Sequence, residues 1–158
     1  NAGYEVYVLN RNTKPQVQGV KLIEADRHNL RGILKDMFFE IVADITAYNA
    51  ADIRDLIEEL GSFGQYIMIS SSAVYPEYEV QPFLEESKKS ANKYWGAYGT
   101  NKIEAENVLL EKVSDAYILR PPLGWFSIFA PIIKAIFITP TLQTLQFCRC
   151  EFLFFRLN

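Results

Sequence analysis

At 158 residues with 49% hydrophobic side chains, the chain has the size and apolar content of one globular unit with a real core. Its formal net charge of -3 provides no overall basic field for a phosphate backbone, so nucleic acid is not an expected partner. The two cysteines, Cys148 and Cys150, stand too close for an ordinary disulfide, and His28 is the one histidine, so no zinc set or other metal site is expected. This cysteine usage points to a reducing compartment, the cytoplasm.

The chain opens at Asn1 on strand-like residues, with no initiator Met and no basic-plus-apolar leader, so its natural beginning is expected to lie upstream. Glu5 to Leu9 alternates and is rich in Val and Tyr, which predicts a strand ending in the polar run Asn10, Arg11, Asn12. Val20 to Glu24 predicts a second strand, closed by Ala25, Asp26 and Arg27, and His28 to Lys35 a short helix. Phe39 to Ile45 is a nearly continuous apolar run, as in a strand covered on both faces, and Thr46, Ala47 and Tyr48 follow it. Ala50 to Leu60 spaces Ile53, Leu56, Ile57 and Leu60 as one helical face, with Gly61 at the stop.

Gln65 to Ile69 predicts another buried strand running into Ser70, Ser71 and Ser72. The polar stretch from Pro76 to Asn92 is too long for a mere connection, which raises its prospect of serving a site. Lys88 and Lys89 within it and Lys93 at its border read as a solvated basic stretch, and Trp95, just beyond, as a residue that packs, or else lines the cleft. Tyr94 to Val113 predicts a long helix, and Ala116 to Leu119 a last strand before Arg120, Pro121 and Pro122. Strand and helix alternate throughout, so residues 1–122 predict a mostly parallel α/β sheet with ligands at the carboxyl ends of its strands.

Tyr98 and Lys102 stand four apart on the predicted helix and so share a face. An ammonium beside a phenol favours the phenolate, so the spacing predicts a Tyr98 pKa drawn from about 10 towards neutrality and a general acid or base. Alone, the spacing equally describes a solvated helical pair. Ser71, at the carboxyl end of a buried strand, can bring a hydroxyl to the same cleft; Ser70 and Ser72 read as groups satisfying strand-end backbone.

Three ordered motifs then carry a resemblance: Ile69 to Tyr75, the Tyr-Gly-Thr-Asn-Lys of 98–102, and the Leu-Arg-Pro-Pro of 119–122. Over roughly residues 2–122 the chain resembles extended short-chain dehydrogenases/reductases of the NAD-dependent epimerase/dehydratase group. The resemblance implies a Rossmann-like doubly wound parallel sheet and an NAD or NADP cofactor. It implies a sugar-type, including nucleotide-sugar, substrate, and it allows a homodimer. It assigns Ser71 to the substrate oxygen, Tyr98 to proton transfer as hydride moves to or from nicotinamide, and Lys102 to the nicotinamide ribose. Asn10 and Arg11 match the ribose-binding end of the family's second strand, where Arg11 tilts the expectation towards the 2'-phosphate of NADP. Asp26 and Arg27 match the adenine contact, Thr46, Ala47 and Tyr48 the wall of the dinucleotide cleft, and Pro121 with Pro122 the loop beside nicotinamide. A non-catalytic dinucleotide-sensing or RNA-associated relative is the rival reading.

The pattern departs from the family at both ends. The first strand and its Gly-rich turn onto a helix amino terminus have no counterpart, so the sheet is expected to be incomplete, its first β-α unit missing, and cofactor affinity poor. Without that strand, its two neighbours are expected to leave a broken sheet or to pair another way. Beyond Pro122, charge becomes sparse and phenylalanine dense. Residues 123–158 are expected to form a divergent apolar tail, of out-of-frame or otherwise non-homologous origin, rather than a domain. Leu123 to Leu142 has the length of a membrane span, but Pro131, Lys134 and Pro140 argue against one.

Overall fold

The computed structural model describes residues 4–122 and 152–157. Strands β1 (Tyr4–Asn10), β2 (Val20–Glu24) and β3 (Phe38–Asp44) lead to helix α1 (Ala50–Glu59). Strand β4 (Ser62–Ile69), helix α2 (Gly96–Lys112), and strands β5 (Tyr117–Leu119) and β6 (Phe152–Leu157) complete the order. A short 3₁₀ turn, Ser72–Val74, follows β4. The strands form one six-stranded sheet in the order β2-β1-β6-β3-β4-β5. β1 pairs parallel with β2, and β4 pairs parallel with both β3 and β5. The expected Rossmann-like α/β sheet is therefore present.

Between β1 and β3, expected either to leave the sheet broken or to pair another way, stands a strand from the tail. β6 pairs antiparallel with both, Leu9 opposite Phe152 on one side and Asp44 opposite Phe152 on the other. Two strands one place apart present facing rows of unpaired N–H and C=O groups, and a single inserted strand satisfies both rows. The sheet is continuous rather than broken, and the tail contributes a central strand to it. Leu123 to Leu142 and both cysteines lie outside the described residues. No helix among the described residues is long and apolar enough to cross a membrane.

Tyr7 and Leu9 join Phe39, Val42, Tyr66 and Met68 under the helices, where Ile53 and Leu56 of α1 meet Ala105, Val108 and Leu109 of α2. Burying each of these larger aliphatic side chains contributes about 1.5–3 kcal/mol. On the other face Val8 and Ala43 form a smaller cluster with Val6, Val20, Ile41 and Ile45. Both described helices thus cover one face of the sheet.

α1 begins with a reciprocal cap: Ala51 and Asp52 N–H donate to the Asn49 side chain, and Asn49 N–H donates to Asp52. The helix expected over His28 to Lys35 does not form. Arg31 and Gly32 both adopt positive φ, 53° and 77°, which a right-handed helix cannot contain, and the segment closes as successive turns. Those turns bury Leu30 and Leu34 beneath the sheet edge, so tertiary burial rather than helical propensity shapes the segment.

Candidate functional site

The five parallel strands all end on one edge of the sheet, and the residues singled out from the sequence gather there. Asn10 closes β1, Asp26 and Arg27 follow β2, Thr46 to Tyr48 follow β3, Ser71 follows β4 and Pro121 follows β5. α2 presents Tyr98, Lys102 and Glu106 at successive four-residue steps, one stripe of a single helix.

Ser71 and Tyr98 meet. The Ser71 hydroxyl oxygen caps the 3₁₀ turn by accepting from Ala73 N–H at 3.2 Å, and Ser71 stands close enough to the Tyr98 phenol to draw its pKa downward. Gly99 makes this approach possible: a Cβ there would lie 2.5 Å from the Ala73 carbonyl oxygen, so only glycine lets α2 rest on the turn. The start of α2 hangs from Asn92, whose amide donates to Tyr75 O at 2.8 Å while its carbonyl oxygen accepts from Tyr94 N–H at 2.9 Å. Trp95, expected to pack, remains exposed at the helix start.

Lys102 is buried one turn further on. Its ammonium donates to Ala47 O at 2.6 Å and Ile69 O at 2.9 Å, joining the ends of β3 and β4, and sits 5.3 Å from the Tyr48 ring centre and 5.9 Å from that of Tyr98. Burial lowers its pKa to about 8 against the pull of Asp44, with Arg27 adding to the lowering. The expected depression of the Tyr98 phenol does not occur. Burial raises its pKa above the ordinary value; Ser71 works in the opposite direction, and the nearby Tyr48 phenol adds to the rise. In this arrangement desolvation sets the direction, and the Lys102 ammonium donates to backbone carbonyls rather than to the phenol.

The buried group Asp44 organises the floor of the site. Arg27 Nη1 donates to it at 3.2 Å and to the Thr46 hydroxyl at 2.8 Å, and Tyr66 donates to it at 2.9 Å. Burial works to lower the Arg27 pKa, but Asp44 more than offsets it and the net direction is upward. Burial also raises the Tyr66 phenol well above its ordinary value. Arg27, matched to an adenine contact, is thus buried as a strut between β2 and β3. Thr46 shares that network, Ala47 is buried with its carbonyl on Lys102, and Tyr48 stands exposed with its ring 6.4 Å from that of Tyr98.

At the far end Asn10 is buried and accepts from Asn12 N–H at 2.7 Å, while exposed Arg11 lies 3.9 Å from Asp26. Pro121 is buried and its carbonyl accepts from Ser72 N–H at 3.0 Å. His28 is exposed, 3.7 Å from Asp52. The basic stretch of the long loop is not uniformly solvated: Lys89 reaches the buried Glu106 at 2.8 Å, and Lys93 pairs with Glu77 at 3.7 Å. Among the described residues no cluster of three His, Cys, Asp or Glu is placed to hold a metal ion.

Sequence reasoning did not single out Asp44, Tyr66, Asn92, Gly99 or Glu106 for the site. A glycine in a helix interior and a carboxylate one turn beyond Lys102 were the available signals for two of them.

No protein-family model matches the chain, and no curated protein matches it by sequence. Solved structures do match in fold. UDP-glucuronic acid 4-epimerase from Bacillus cereus, in complex with NAD, aligns over 77% of this chain and 49% of its own, at 17% identity and a TM-score of 0.57. A Methylobacillus flagellatus protein assigned as an NAD-dependent epimerase/dehydratase aligns over 72% and 44%, at 21% identity and a TM-score of 0.53. MoeE5, in complex with UDP-glucose and NAD, aligns over 77% and 46%, at 19% identity and a TM-score of 0.51. The chain spans less than half the length of each of these proteins. With its parallel strands ending on one edge and its helices laid across them, it has the Rossmann-type fold seen in these NAD-dependent epimerase/dehydratase-type structures.

Proposed function

We propose that the chain carries the acid/base apparatus of an NAD(P)-dependent oxidoreductase, epimerase or dehydratase acting on a sugar-type substrate, in particular a nucleotide sugar. The observation that carries this reading is the meeting of Ser71 and Tyr98 beside buried Lys102 at the carboxyl edge of the sheet. A hydroxyl and a phenol side by side can hold a substrate oxygen and exchange a proton with it. Ser71 orients that oxygen through its O–H, its own oxygen being turned to Ala73 N–H. Tyr98, held protonated by burial, is a proton donor in its resting state. Lys102, fixed by two carbonyls, has a third N–H with which to hold a ribose hydroxyl.

The donor set along the edge fits a dinucleotide. Lys102 and Tyr48 would serve its nicotinamide half, and Asn10, Arg11 and Asp26 its adenosine half, with Arg11 favouring a 2'-phosphate. The cofactor would supply the hydride chemistry. Calorimetric titration with NADP and NAD, followed by turnover assays with UDP-glucuronic acid and UDP-glucose, tests the reading. Binding of a dinucleotide that Lys102→Ala weakens is the expected result; no binding of either dinucleotide sinks it.

The rival, a non-catalytic relative of the same fold, draws on β6. Its amino-terminal end lies beside the carboxyl ends of β1 and β3, so at the centre of the edge the chain enters a strand instead of leaving one towards a helix amino terminus. Dinucleotide binding with no turnover of either nucleotide sugar would favour that rival.

A further inference from the structure

We infer that Glu106 is the positioning residue for the Ser71–Tyr98 pair, locking the helix that carries the phenol to the strand end that carries the hydroxyl. The inference rests on the reading of Ser71 and Tyr98 as the reacting pair, and its geometry stands apart from any cofactor. Glu106 is fully buried on α2, two four-residue steps beyond Tyr98 on the same stripe. One of its oxygens accepts from Ser70 Oγ at 2.5 Å and from Arg120 Nε at 2.9 Å; the other accepts from Lys89 Nζ at 2.8 Å and Arg120 Nη2 at 3.0 Å.

Arg120 is the important partner because of its neighbours in the chain. Ser70 N–H donates to Leu119 O at 2.7 Å and Ser72 N–H to Pro121 O at 3.0 Å, so the two carbonyls that hold the backbone around Ser71 flank Arg120. A two-pronged guanidinium–carboxylate bond fixes orientation as well as distance. Glu106 therefore grips Ser71 from both sides, through the Ser70 hydroxyl and through the segment that brackets it. Arg120 Nη1 also donates to the Tyr75 hydroxyl at 3.0 Å, which steadies the far end of the same turn. Docking α2 on β5 would need only the Arg120 fork; the bond to Ser70 ties the helix also to the end of β4, at the residue next to Ser71.

The test reads the Tyr98 phenol directly, with fluorotyrosine incorporation giving each ring a fluorine resonance and Tyr98→Phe identifying the one that matters. The groups facing this phenol are Ser71 from the β4 end, Tyr48 from the loop after β3, and Lys102 on its own helix. Ser71 favours the phenolate, so Ser71→Ala should raise the Tyr98 midpoint by about one pH unit. Glu106→Gln, and Arg120→Lys, which keeps the charge but loses the fork, should each raise it by a similar amount. Neither should raise it further in the Ser71→Ala background. An unchanged midpoint in either folded variant overturns the proposal, as does a rise that persists in full without Ser71. Should Glu106→Gln fail to fold, Arg120→Lys decides. Because no cofactor or substrate enters the measurement, an inactive protein with the coupling intact would count against the catalytic reading alone.

Discussion

At Lys102 two effects compete, and burial wins. The charged side chain is removed from water, so its folded-state pKa falls to about 8, while the unfolded chain keeps the ordinary value near 10.5. Between those two values the unfolded state binds more protons, and stability must therefore rise with pH through that window. The gain should be on the order of 3 kcal/mol. Urea unfolding at both ends of the window should show it, and Lys102→Met should remove this part of the rise. Tyr98 shows the same contest for an acid, its phenol held protonated by burial. Tyr98→Phe should lower kcat by about a hundredfold or more, with dinucleotide affinity little changed. Arg11 bears on cofactor choice: Arg11→Ala should weaken NADP binding about tenfold relative to NAD in paired calorimetric titrations, the loss of one charge-assisted contact.

Among the elements, α2 carries most of the site, and its seat is Gly99. Gly99→Ala would drive a Cβ against the Ala73 carbonyl, a backbone atom that cannot swing aside. The expected cost is about 1–3 kcal/mol in chemical denaturation. Activity should fall by more than stability explains, because the helix must lift away from Ser71. The Tyr98 and Lys102 spacing was legible because a helix has a fixed period, and so were β1 to β5 and α1, whose apolar patterns are regular. The drawn-down Tyr98 pKa was not a sound inference from spacing: a four-residue step places Lys102 near the phenol, but says nothing of the Ala47 and Ile69 carbonyls that take its donors. The missing helix near His28 follows the same logic, since its turns are set by where Leu30 and Leu34 must be buried.

For the whole molecule the decisive feature is β6. A central strand recruited from the far end of the sequence joins two otherwise separate parallel pieces, β1 with β2 and β3 with β4 and β5. Phe154→Pro should remove a ladder hydrogen bond and clash within the strand, costing about 3 kcal/mol or more. Hydrogen exchange checks this locally: amide protection should fall in β1 and β3 together while α1 and the β4–β5 pairing keep theirs. Equal protection in β1 before and after the substitution would show that the sheet does not depend on this strand.

The sequence by itself determined the alternation of strands and helices through residue 122, the edge on which the polar residues gather, and the shared helical face of Tyr98 and Lys102. These are local properties, set by side-chain period and by the turn residues between elements. Only the tertiary structure decided that Arg27 is a buried strut on Asp44, that Glu106 joins the Tyr98 helix to the Ser71 strand end, and that the apolar tail supplies the sheet's central strand. Each of these depends on partners far apart in the chain. Whether a buried charge finds its counter-charge, or an unpaired strand edge its neighbour, is settled by folding as a whole.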